Sequence, residues 1–321
     1  MTFKPPPPAP KGLWRRTPPA VFPVFLGLMG LGLGWRRGAP EFGLPQGLGE
    51  AVVGAVTLLA VFGLVTYLVK IARRPGVVAE DLSVLPGRGG IAAMVLVIYL
   101  VAVALTPYWP RVATGFLLAG FAAHAVLILL VLRLILSRPG DAARLSPVWH
   151  LVFVGPIVGA LAAAQLGWVE LAAAISIATA LAALAIWTAS AVQLLREDVP
   201  APLRPFLAIH LAPAALHGQV ALLTGNDRML LVAAGLTVLI LAALVLSGRW
   251  LLRSGFSPMW GALTFPLAAT ASLWLGIGGV WRLPGGILLV LATFLILWIA
   301  RRVLRDWATG ALALKTNAAV A

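Results

Sequence analysis

FSPMWGALTFPLAATASLWLG, residues 256–276, is the most informative segment of the chain. It is apolar and long enough to cross a bilayer as a helix, which takes about 20 residues. Near its middle Phe265 stands directly before Pro266. Proline has no N–H, so the carbonyl of Ala262, one turn earlier, loses its helical partner. In hydrocarbon that loss is tolerated only where water, a neighbouring group or a polar cavity satisfies the carbonyl. The stretch therefore predicts a bulky ring presented at a helix break that faces an aqueous path. A hydrophobic constriction in a pore has that make-up.

Working outward, the whole chain shares this character. Its 321 residues are 61% hydrophobic and 11% charged, with a mean hydropathy of +1.00. A soluble domain cannot bury that much apolar surface, so lipid is the solvent for most of it. Ten apolar runs follow one another at about 20–35, 51–71, 91–109, 112–136, 147–168, 171–195, 205–224, 228–247, 257–276 and 285–303. They predict an all-α integral membrane protein of ten transmembrane helices arranged as five helical hairpins. Residues 1–19 read as a Pro-rich basic cytoplasmic tail, 20–305 as a single membrane domain, and 306–321 as a cytoplasmic C-terminal tail.

The net charge of +14 does not indicate a nucleic-acid partner, because the basic residues sit in short connections between apolar runs. Assigning both termini and every second connection to one side places 19 of the 24 Lys and Arg there. The other side keeps only Arg36, Arg37, Arg111, Arg228 and Arg282. The positive-inside rule then puts both termini in the cytoplasm. The Ala/Leu/Arg-rich composition points to a bacterial inner membrane. With no cysteine in the chain, disulfides and Cys-ligated metals are excluded.

Proline falls unevenly among the runs. Pro23, Pro156, Pro213 and Pro266 lie in the first, fifth, seventh and ninth, while the even runs have none inside. Broken helices belong where protein or water completes the backbone, and plain Leu/Ala/Val helices suffice against lipid. The pattern predicts an inner ring of odd helices, mostly Pro-kinked, lining a pore inside an outer ring of even helices. The third run is the exception, its prolines lying at its flanks, and Pro23 is near enough to a helix start to be an N-terminal proline.

Mid-span polar residues are few. Thr264 neighbours Phe265, and His210 and His217, seven apart, share a helical face with Pro213 between them. A proton relay or metal pair could use two histidines. Neutral rings hydrogen-bonding to adjacent helices, or lining a wet vestibule, fit better. No HExxH, carboxylate pair or P-loop accompanies them, so neither catalysis nor a metal or other cofactor is expected. All ten acidic residues map to connections or span ends. Lys70 and Arg133 lie close enough to cytoplasmic ends to snorkel. A path without fixed carboxylates does not attract cations; it suits anions guided by dipoles and hydroxyls.

Three stretches carry a family likeness. WGALTFPLAATA (260–271), FPVFLGLMGLGLGWRR (22–37) and RPFLAIHLAPAALHG (204–218) resemble segments of the tellurite-resistance/dicarboxylate transporter family. That family includes bacterial TehA and the plant guard-cell slow anion channels. The resemblance implies a homotrimer, each subunit with its own pore lined by five inner helices and occluded by a phenylalanine, here Phe265. It implies small inorganic or carboxylate anions as the permeating partners. A secondary carrier of C4-dicarboxylate, sulfite or tellurite-type oxyanions is the alternative on the same fold. The third span departs from the pattern by lacking a central proline.

Overall fold

The computed structural model describes residues 14–137, 140 and 144–321. Most of the expected N-terminal tail, including Lys4 and Lys11, lies outside them, as do Arg138 and Asp141. Leucine, alanine and valine runs without internal proline satisfy their own backbone, so they become long helices: α2 (Gly47–Arg73), α5 (Pro110–Ser137), α7 (Val169–Arg196), α9 (Asp227–Leu246) and α12 (Arg282–Ala308). Between them stand α1 (Phe22–Glu41), α4 (Leu85–Leu105), α6 (Pro156–Gln165), α8 (Leu211–Thr224) and α11 (Gly261–Ile277). Short helices α3 (Val77–Ser83), α10 (Gly248–Leu251) and α13 (Ala311–Lys315) complete the set, and no strand occurs among the described residues. Nine helical stretches among them are long and apolar enough to cross a membrane, and His150–Gln165 is a shorter apolar helix.

The two groups differ in burial. In the spans containing α1, α4, α8 and α11, 72–83% of the apolar window is buried; in α2, α5, α7, α9 and α12 only 17–33% is. The exposed group turns large side chains outward, Leu58, Leu195, Leu246 and Phe294 among them. Contacts order the buried group into a closed ring: α1 packs on α4, α4 on α6, α6 on α8, α8 on α11, and α11 returns to α1. Each ring helix also packs on the long helix that follows it, α1 on α2, α4 on α5, α6 on α7, α8 on α9 and α11 on α12.

The prolines have a different local role from the one their positions suggested. Pro23 and Pro156 stand in the first turn of α1 and α6, where the missing N–H costs nothing. A π-helical turn, His150–Val154, precedes α6, and a 3-10 stretch, Ala201–His210, precedes α8, whose third residue is Pro213. Only Pro266 among the four is well inside its helix, and α11 runs unbroken through it. Tighter or wider turns thus precede α6 and α8, and only α11 of the four carries its proline well inside the helix.

Lys70 does not snorkel to a membrane surface. Its side chain and that of Asp81, on α3, are fully buried and paired at 2.7 Å. Asp81 also accepts from the Tyr67 hydroxyl at 2.9 Å and the Ala319 amide at 2.7 Å, while Lys70 donates to the Thr17 carbonyl at 3.0 Å. Two dehydrated charges are stable together here because their attraction is backed by these further hydrogen bonds. The cluster ties α2 and α3 to the segments before α1 and after α13. Asp81→Ala is expected to lower stability by about 3–5 kcal/mol, the cost of stranding a buried ammonium. Thermal melts in detergent check this: the Lys70→Met/Asp81→Leu double variant should recover part of the loss.

Candidate permeation pathway

The ring closes where α1 meets α11, and two glycines make the approach possible. A Cβ at Gly27 would overlap the Thr264 side chain, and one at Gly30 would lie 2.9 Å from the Phe265 ring. Thr264 uses the contact: its hydroxyl lies 3.1 Å from the Pro23 carbonyl of α1 and 2.7 Å from that of Gly261 in its own helix. Phe265, 5% exposed, is thereby pressed against the glycine face of α1 and directed into the ring. The Thr270 hydroxyl donates to the Pro266 carbonyl at 2.8 Å, a back-bond of the kind that bends helices.

Two small cavities border that ring. One of about 40 Å³ is walled by Pro23, Leu26, Ala93, Phe206, Ala262 and Pro266; its neighbour, about 20 Å³, by Leu96, Val154, Ile157, Val158, Pro213 and Leu216. Leu151, Ile209, Ala212 and Phe265 line both. Such volumes hold from one to a few waters, and the walls give those waters few partners. A turn further along α6 and α8, a mouth of about 670 Å³ opens among the far ends of all five ring helices. Toward the chain termini a further cavity, about 270 Å³, borders His210 and the Arg144–Glu197 ion pair.

The expected site residues are distributed unevenly along this line. Pro23 and Pro266 wall the first cavity, Pro213 the second, and Phe265 lines both. Pro156 lines none of the four cavities. Thr264 and His217 line none of them either. His217 Nδ1 lies 2.7 Å from the Pro213 carbonyl, and its Nε2 lies 3.2 Å from both the Thr179 hydroxyl and the Ser176 carbonyl of α7. His210 and His217 do not form a two-turn face, because His210 ends the 3-10 stretch and the α-helix starts after it. His210 pairs instead with His150, Nδ1 to Nε2 at 2.9 Å, the rings edge to face. His150 was not among the sequence candidates. It lies sixty positions away in a different run, and no local pattern marks it.

A model of the voltage-dependent anion channel family matches residues 16–304. The chain belongs to that family. This is the family of TehA and the slow-type anion channels to which the three sequence stretches pointed. No curated protein matches the chain. Membership in a channel-type family establishes anion transport in general as the activity and accords with a many-helix membrane protein. Among the described residues no group of three or more His, Cys, Asp or Glu could hold a metal.

Gly27→Ala must push α1 from α11, and a loss of about 1–3 kcal/mol is expected from overpacking. Gly30→Ala meets only the edge of the Phe265 ring and is expected to cost less. Melting temperatures of the two variants in one detergent test the order; equal losses contradict it.

Proposed function

We propose that this chain is an anion channel of the bacterial inner membrane, with one pore through each protomer and Phe265 as its gate. Ten crossings, the tenth supplied by the turn at His150 together with α6, form five hairpins whose first members line the pore and whose second members face lipid. Both termini are cytoplasmic, in keeping with the distribution of arginine and lysine. The protomers assemble as a homotrimer, as the family resemblance implies.

One observation carries the reading: in a member of an anion channel family, Phe265 lines two small apolar cavities inside a closed ring of helices. An ion in that constriction finds no carboxylate and almost no hydroxyl to replace its water. Chloride- and nitrate-like anions therefore pass in order of how readily they dehydrate. A side chain that leaves so little room for water closes the path by dewetting.

Anion currents in planar bilayers, wild type beside Phe265→Ala in symmetric chloride and then nitrate, test the assignment. A small wild-type current and a several-fold larger one from Phe265→Ala are expected, with unchanged expression and folding. Equal currents overturn the gate. Silence from both, with saturable uptake of a C4-dicarboxylate, sulfite or tellurite-type oxyanion driven by the proton motive force, assigns a secondary carrier to the same fold.

A further inference from the structure

The mouth farthest from the chain termini holds two adjacent guanidinium groups in different electrical states. Arg36 is neutralised: its Nη2 donates to Glu50 at 2.7 Å, its Nε pairs with the same carboxylate at 2.6 Å, and Nη1 reaches the Ala104 carbonyl at 3.1 Å. Arg37 has no carboxylate partner among the described residues. Its Nη1 donates to the Ser272 carbonyl at 3.0 Å, which fixes the group without cancelling its charge. The wall is shaped for it, since a Cβ at Gly276 would stand 2.5 Å from Nη1.

Around this charge the mouth presents Gln165, Gln219, Thr106 and Ser272, and no acidic residue lines it. Gln219 itself is oriented by donating its amide to the Ala269 carbonyl at 2.9 Å. A guanidinium carries five N–H donors in a planar fork, so one bond to Ser272 leaves the fork open to an anion. In a cleft with low-dielectric walls, one unbalanced charge raises the local concentration of counter-ions.

We propose that Arg37 is the anion-recruiting residue of this mouth, binding a small monovalent inorganic anion from water before it meets the constriction at Phe265. The assignment rests on the channel reading for its role in conduction, but binding itself does not require conduction. Arg36, locked to Glu50, supplies a neutral shoulder that leaves Arg37 as the single attractive centre. The distinction between two neighbouring arginines is therefore functional: one holds α1 to α2, the other meets the ion.

Conductance against chloride concentration in a Phe265→Ala background reads the role. Arg37→Gln is expected to reduce conductance about three- to tenfold at about 20 mM chloride, where the lost local enrichment matters most. The difference should nearly vanish at about 1 M, where the screening length is only about 3 Å. Arg37→Lys should retain most of the low-salt conductance, while an identical curve for Arg37→Gln and its parent overturns the proposal. A second measurement stands apart from conduction: nitrate in place of gluconate should raise the melting temperature of the full wild-type chain but not of Arg37→Gln. If Phe265→Ala is silent and the nitrate shift persists only in the wild type and Arg37→Lys, the gate reading fails and the binding site stands. A nitrate shift unchanged in Arg37→Gln removes the site, and the Arg37→Lys comparison decides the matter should the glutamine variant not fold.

Discussion

A backbone carbonyl or amide in hydrocarbon must find its partner within the protein or in water held by it, and every other feature follows from that constraint. It forces the lipid-facing helices to be long, regular and free of internal proline, as α5 and α7 are. It confines the π-helical turn before α6, the 3-10 stretch before α8 and the proline in α11 to the enclosed ring. Irregular backbone and the enclosed ring are thus two descriptions of one place. The hydroxyls obey the same constraint: those of Thr57, Thr106, Thr188 and Thr224 return to carbonyls four residues back in their own helices. Little side-chain polarity is left over for a passing ion.

The two arginines at the end of α1 and the buried pair at the end of α2 show how charge is managed in so apolar a protein. Lys70 and Asp81 cancel in place and act as structure. Arg36 and Glu50 do the same at the opposite end, partly in water. Arg37, held by the Ser272 carbonyl and by no carboxylate among the described residues, keeps its charge at the mouth it lines. In the proposed channel, a charge in the wide mouth rather than beside Phe265 attracts an anion without trapping it at the narrowest point.

Much of this was legible in the residues. Hydropathy alone gave the apolar runs, because a lipid-spanning helix must be apolar along its whole length. The proline distribution separated ring from periphery, though for a modified reason: Pro23, Pro156 and Pro213 mark junctions rather than kinks. Phe265 stood out because its neighbours, Thr264 and Pro266, are unusual inside an apolar run. Partnerships between separate helices were not legible. His150 meets His210, and Lys70 meets Asp81, only after helices pack, and both turn on which face of a helix looks inward. The 3-10 geometry before α8 changed the phase that placed His210 and His217 on one face. Arg37 read as one of a few basic residues at a span end, since its lack of a carboxylate partner is a property of the packed ring.

The seam between α1 and α11 joins residues far apart in the chain: Pro23 and Thr264 are 241 positions distant. Chains are made from the N-terminus, so the glycine face of α1 enters the bilayer long before the helix that covers it exists. Until then the ring is an open arc, and the small residues along α1 form a groove that any similar helix could occupy. Helices adjacent in the chain, such as α1 and α2 or α4 and α5, can pack as they are inserted, each from sequence already present. Closure therefore waits for α11, and the packing of Phe265 against the glycine face of α1 exists only once that helix is in place.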